Sequence, residues 1–131
     1  DLKDKKVALW GLAFKPNTDD IREAPALYII NDLLAEGAQI TAYDPEAMSN
    51  VKQVVGDKIN YALNQYDALE DADVLIIATE WGEFRTPDFN KMKELMKQPV
   101  IFDGRNVYDL KQMQKLGFYY NSIGRMVVTP Q

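Results

Sequence analysis

The sequence predicts an α/β fold: a Rossmann-like three-layer α/β/α sandwich around a mostly parallel sheet of five or six strands. Three observations predict it. Short apolar runs alternate with amphipathic helical stretches along the chain, the pattern of successive βαβ units. The strongest run, Val74–Ala78, is apolar throughout, as a strand covered on both faces is. The segment Gly11–Pro25, reading GLAFKPNTDDIREAP, joins a strand to a helix and is longer than a packing turn needs. In such folds the carboxyl end of a strand and the amino end of the next helix meet where ligands bind.

The elements follow in order. Val7–Trp10 reads as strand one. Leu27, Ile30, Leu33 and Leu34 form a helical stripe, stopped by Gly37 at a C′ position. Ile40–Tyr43 is strand two, ending in Asp44-Pro45. Ala47–Val55 is a weaker helix stopped at Gly56, and Ile59–Ala62 a short edge strand. Tyr66–Asp71 is a helical turn, followed by the Val74–Ala78 strand. Phe89–Lys97 is a helix with Met92, Leu95 and Met96 inward, and Pro99–Phe102 the next strand. Asp109–Leu116 is a short helix ended at Gly117, and Phe118–Asn121 the last strand. Residues 126–131 read as a loose tail. Right-handed crossovers then give the strand order 3-2-1-4-5-6. The loops Gly11–Glu23, Thr79–Phe84 and Asp103–Asn106 fall together at the carboxyl edge, around the switch point.

Composition narrows the function. The 131 residues suit one domain, and 47% hydrophobic content supports a real core. A net charge of −5 argues against nucleic acid or an anionic membrane surface as partner. With no cysteine and no histidine, thiolate chemistry, disulfides and the usual general base are excluded, and no metal cluster is expected. No apolar run approaches the roughly 18 residues of a membrane span. The chain begins at Asp1 and reads as a processed chain or a piece of a longer protein, with a cytoplasmic location expected.

Gly11 is followed by Leu12, Ala13, Phe14 and Lys15, so the G-x-G-x-x-G dinucleotide fingerprint is missing. Asp44 ends strand two, where a ribose-binding acid would sit, but lies well beyond the roughly 20 positions of that fingerprint. Turn chemistry favours a structural role for it. Lys15 can meet a phosphate or sugar hydroxyl as a compact cation, or be a solvated surface lysine. Phe14 can pack under the loop or line a pocket wall. Asp20-Ile21-Arg22-Glu23 has the spacing of a capping box, which assigns Asp20 and Glu23 to the helix start. Capping leaves Arg22 free for bidentate phosphate binding or for an ion pair with Asp19, Asp20 or Glu23. Arg105, after Gly104, is a candidate anion clamp. Trp81 and Phe84 form a ligand wall, an interface, or a loop folded back over the sheet. No carboxylate pair occupies an obvious cleft, so no catalytic residue is assigned.

Taken together, GLAFKPNTDDIREAP, YDP, ADVLIIATEW-EF, VIFDGRN and GF-Y-SIGR resemble the carboxyl-terminal, UDP-binding domain of the UDP-glucose/GDP-mannose dehydrogenase family. The resemblance runs from about Lys6 to Arg125 and looks most like the UDP-glucose 6-dehydrogenase branch. It implies an NAD-dependent oxidoreductase that converts UDP-glucose to UDP-glucuronate in two hydride transfers, through a thioester on a cysteine. It further implies an amino-terminal NAD domain, a central helix carrying dimer contacts, and a homodimer or higher oligomer. By this resemblance Phe14, Lys15 and Arg105 bind the nucleotide sugar, and Arg22 contacts NAD at a domain boundary. The catalytic cysteine and the glycine-rich NAD fingerprint are absent from the chain, so the chain alone is expected to be inactive and NAD to be bound mainly elsewhere. Two alternatives stay open: a stand-alone nucleotide-binding or regulatory module, and the same domain acting on GDP-mannose or a UDP-N-acetyl sugar.

Overall fold

The computed structural model describes residues 2–130. Six strands form one sheet: β1 (Lys6–Trp10), β2 (Gln39–Tyr43), β3 (Asn60–Tyr61), β4 (Val74–Ile77), β5 (Val100–Asp103) and β6 (Tyr119–Ser122). Their order is β3-β2-β1-β4-β5-β6 and every neighbouring pair is parallel, as the sequence predicts. Five helices connect them: α1 (Pro25–Ala35), α2 (Met48–Val55), α3 (Gly82–Arg85), α4 (Phe89–Leu95) and α5 (Leu110–Leu116). The expected turn at Tyr66–Asp71 is a 3₁₀ turn over Asp67–Leu69.

Alternation along the strands builds two cores. Val7 and Leu9 of β1 pack with Ala26, Ile30 and Leu33 of α1 and Val51 of α2. Ala8 and Trp10 point the other way, into a cluster with Phe84, Met92, Met113, Phe118 and Tyr120. Trp10 and Phe84 are fully buried and stack at 4.9 Å between ring centroids. Burying Phe84 coils Gly82–Arg85 into a helical turn, an element too short to leave a periodic signal in the sequence. Coverage is uneven on the side of α1 and α2. There Ile76 and Val100 are half-buried and Phe102 remains 40% exposed, against the edge of the Tyr119 ring.

Two expectations need correction. The proposed capping box does not cap. The N-cap of α1 is Ala24, it makes no side-chain cap bond, and Pro25 supplies the first helical residue. Glu23 has a left-handed backbone, φ 55°, so it lies outside the helix. The tail is tied at one point: Val128 and Tyr120 exchange two backbone hydrogen bonds of 2.9 Å. Asp1 and Gln131 lie outside the described residues. By contrast, α4 and α5 have side-chain caps, with Asp88 and Asp109 accepting from Lys91 N and Gln112 N.

Candidate functional site at the carboxyl edge

Asp44 ties three loops together. Its side chain is fully buried. Oδ2 accepts from Leu12 N at 2.7 Å, Ala13 N at 3.2 Å and the Trp81 indole Nε1 at 3.0 Å. Oδ1 accepts from Glu46 N at 2.8 Å and Ala47 N at 2.9 Å. A buried carboxylate is stable only when its charge is met by donors, and these five meet it. Asp44 is structural, as turn chemistry suggests, and its reach extends to the loops after β1 and β4. Thr79 adds a second tie by donating from Oγ1 to Ala13 O at 2.8 Å. Gly11, at φ +97°, lies so close that a Cβ there would stand 2.5 Å from Thr79 Cβ.

This scaffold presents Phe14 and Lys15. Phe14 N donates to Asp20 O at 2.7 Å, closing the loop on itself, while the Phe14 ring stays 46% exposed. Lys15 is exposed. Arg22 is paired: Nε and Nη2 reach the two Asp20 oxygens at 3.1 and 2.9 Å. Its own amide donates to Asp20 Oδ1 at 2.9 Å. This side-chain fork, with the amide bond added, holds the Asp20 carboxyl down from 3.8 to about 2. Asp20 therefore orders the loop through Arg22, and caps nothing. Phe14, Asp20, Arg22 and Glu23 line one open depression of about 480 Å³.

Arg105 lies elsewhere along the edge. It lines a cleft of about 420 Å³ with Pro25 and Ile29 of α1, Ile76 of β4, Phe102 of β5 and Ile123 beyond β6. Asp103, 2% exposed, shapes its turn by accepting from Arg105 N at 2.8 Å and Val107 N at 2.7 Å. Gly104 N adds a bond to Ile77 O at 2.9 Å. The guanidinium is 3.9 Å from Glu80 Oε1, a loose ion pair beyond hydrogen-bond reach. Its Nε is buried without a partner. An unmet donor on a permanent cation keeps hydrogen-bonding capacity for an acceptor.

The structure thus brings Phe14 and Arg22 to one depression and Arg105 to another cleft, both at the carboxyl edge. Trp81 and Phe84 are 8% and 0% exposed, so their loop folds back over the sheet and forms no ligand wall. Sequence reasoning missed the supports: Asp44 as a three-loop tie, Thr79, and the Asp103–Tyr120–Arg125 set. The last had a trace in the GF-Y-SIGR segment, where the tyrosine is Tyr120 and the arginine Arg125.

These residues do not build a cradle for a dinucleotide. The position where a glycine-rich loop would admit a pyrophosphate is filled by Thr79 against Gly11. The acid that would meet a ribose, Asp44, has its oxygens committed to the protein's own donors. Arg22 is exposed on the surface beside this loop.

Comparison with known proteins agrees with the geometry. Residues 8–110 match the UDP-glucose/GDP-mannose dehydrogenase family, UDP binding domain. A UDP-glucose 6-dehydrogenase from Rhizobium meliloti (strain 1021) is 45% identical over 125 residues, 95% of this chain and 28% of that protein. Another from Bacillus subtilis (strain 168) is 46% identical over 127 residues, again covering 28% of its length. Among solved structures, a UDP-glucose dehydrogenase from Pyrobaculum islandicum superposes with TM-score 0.72 at 36% identity, over 81% of this chain and 23% of that one. An NDP-N-acetyl-D-galactosaminuronic acid dehydrogenase from Methanosarcina mazei Go1 gives TM-score 0.82 at 26% identity, over 95% of this chain and 25% of that one. The chain spans under a third of the length of these relatives. With its sheet order, its carboxyl-edge loops and these matches in agreement, the chain belongs to the UDP-glucose/GDP-mannose dehydrogenase family, as its UDP-binding domain.

Proposed function

We propose that Phe14, Lys15 and Arg105 hold the diphosphate and sugar of UDP-glucose in an NAD-dependent UDP-glucose 6-dehydrogenase, which forms UDP-glucuronate. The observation that carries this reading is the Arg105 guanidinium, which makes no hydrogen bond among the described residues at the rim of its cleft. Arginine donors pair well with phosphate oxygens. Lys15, exposed beside the Asp20 charge, supplies a second cation. The higher identity to UDP-glucose enzymes than to the N-acetyl-sugar enzyme supports glucose as the sugar.

The remaining machinery belongs to other parts of the polypeptide. An amino-terminal NAD domain and a central dimerising helix would supply the cofactor site, the cysteine and the second subunit, and Arg22 would reach NAD across the domain boundary. The short span relative to the relatives supports this. We place the enzyme in the cytoplasm; separately, no helix among the described residues is long and apolar enough to cross a membrane. The chain alone would bind nucleotide weakly, since the surfaces that close over it lie elsewhere. The test is titration of this chain with UDP, followed by amide chemical shifts. Arg105→Ala and Lys15→Ala should each weaken binding by about tenfold. Unchanged affinity in both variants would remove the site assignment.

A further inference from the structure

We infer that Tyr120, backed by Arg125, is a positioning residue for Arg105, acting through the Asp103 carboxylate. The inference rests on the reading of Arg105 as an anion ligand. Beyond the end of β5, the turn Gly104–Val107 has no helix or strand to set its shape, and Asn106 within it adopts a left-handed φ of 56°. Its shape comes from Asp103, whose two oxygens hold the amides of Arg105 and Val107. Apart from the Gly104 N bond to Ile77 O, the backbone hydrogen bonds that fix the turn run to that carboxylate.

Tyr120 fixes the carboxylate. Its ring is fully buried in β6, and its hydroxyl donates to Asp103 Oδ2 at 2.5 Å. The Tyr120 hydroxyl oxygen in turn accepts from Tyr108 N at 3.2 Å and from Arg125 Nη2 at 2.8 Å. One donated and two accepted bonds use the full capacity of a phenol; a second acceptor, Tyr108 O, lies farther off at 3.4 Å, so the short bond to Asp103 is the stronger of the two. Burial, and then the bond to Asp103, push its pKa up to about 12. It remains a donor at every physiological pH.

Arg125 closes the network from outside. Its Nη1 donates to Tyr108 O at 2.9 Å and its Nε to Ser122 Oγ at 2.9 Å. The guanidinium carbon lies 5.5 Å from the Tyr120 ring centre. With the bond to the Tyr120 hydroxyl, three of its five N–H donors are committed to the protein itself. The Arg105→Ala background separates any direct contact of Arg125 with an anion from its action through Tyr120. The order of action is Arg125 to Tyr120, to Asp103, to the backbone that aims Arg105 into the cleft. An anionic diphosphate would feel Tyr120 only through Arg105.

That dependence is what a double-mutant cycle reads. The chain is titrated with UDP, and affinity and unfolding midpoint are measured for Tyr120→Phe, Arg105→Ala and the double variant. Tyr120→Phe keeps the buried ring and removes only the hydroxyl. It should weaken UDP binding roughly three- to tenfold in the parent background and leave it unchanged in the Arg105→Ala background. The fall in unfolding midpoint should be the same in both. An equal loss of affinity in both backgrounds would overturn the inference, because a general structural role predicts that. Unchanged affinity in Tyr120→Phe, with Arg105→Ala weakened, would overturn it while sparing Arg105. Unchanged affinity in Arg105→Ala would remove the reading of Arg105 and the inference with it. Arg125→Met takes away the outer support without touching the core, and should repeat the pattern if Tyr120→Phe fails to fold. Its affinity remaining at the parent value would count against the network.

Discussion

The indole N–H of Trp81 donates to Asp44 Oδ2 across 3.0 Å, deep under the loops that carry the candidate ligands. Asp44 terminates β2, Trp81 follows β4, and the same oxygen holds Leu12 N and Ala13 N after β1. One buried charge therefore sets the height of three loops. Asp44→Ala strands four backbone amides and an indole, with little room for water. Each stranded donor costs about 1–3 kcal/mol, though not additively. The expected loss is about 4 kcal/mol by urea unfolding, against about 1 kcal/mol in hydrogen bonding for Trp81→Phe, whose packing loss adds to that. A loss below 1 kcal/mol for Asp44→Ala would show that the loops hold without it.

Gly11 gives a sharper steric test. Its φ is +97°, and an added Cβ would stand 2.5 Å from Thr79 Cβ and 2.6 Å from Thr79 N. Gly11→Ala must displace the β1 and β4 loops, and should cost about 3 kcal/mol or more. Gly117, the left-handed residue after α5 at φ 84°, meets only the end of the Lys93 side chain, with Nζ at 3.0 Å. That side chain can swing away, so Gly117→Ala should cost about 1 kcal/mol. Equal losses would mean that backbone strain, and not the contact with Thr79, requires the glycine at 11.

The Asp20–Arg22 fork predicts a pH dependence. Asp20 titrates at about 2 in the folded chain, below its ordinary 3.8, because Arg22 binds its charged form through side chain and amide. A folded value below the unfolded one means that the pair's contribution is present above about pH 4 and fades as pH falls from there toward 2. The pair is exposed, so salt should weaken it. A carboxyl-carbon titration of Asp20 by NMR should show a midpoint well under 3.8, returning toward 3.8 in Arg22→Ala. A midpoint of 3.8 in the parent chain would mean that the fork does not persist in solution.

Sheet order was legible because right-handed crossovers leave few ways to arrange alternating strands and helices, and because Val74–Ala78 is too apolar for an edge. Helix ends were legible at Gly37 and Gly117, where positive φ requires a flexible residue. The start of α1 was not. Asp20 and Glu23 have capping-box spacing, but the pattern cannot reveal that Glu23 turns left-handed and that Pro25 opens the helix. For the site, residue type could only nominate Lys15 and Arg105 as candidate cations, since charge and loop position are local properties. It paired Arg22 with Asp20 only as one option among several. Whether Phe14 and Arg105 share a cleft depends on how the β1 and β5 loops bend, and that is set by Asp44 and Tyr120. Those two act over long sequence separations and carry no local signature.

Neighbours on β5 test the uneven coverage of the sheet. Ile101 is fully buried on the side of α4 and α5, whereas Phe102 points to the opposite side and stays 40% exposed. Ile101→Ala opens a void inside a packed cluster and should cost about 2–5 kcal/mol. Phe102→Ala leaves a surface that water can fill, so no cavity forms, and the loss comes only from the covered part of the ring and its contact with Tyr119. The expected cost is about 1 kcal/mol, despite the larger side chain removed. Urea unfolding of both variants of this chain checks the order. A Phe102→Ala loss equal to that of Ile101→Ala would mean that the chain in solution already covers this side of the sheet.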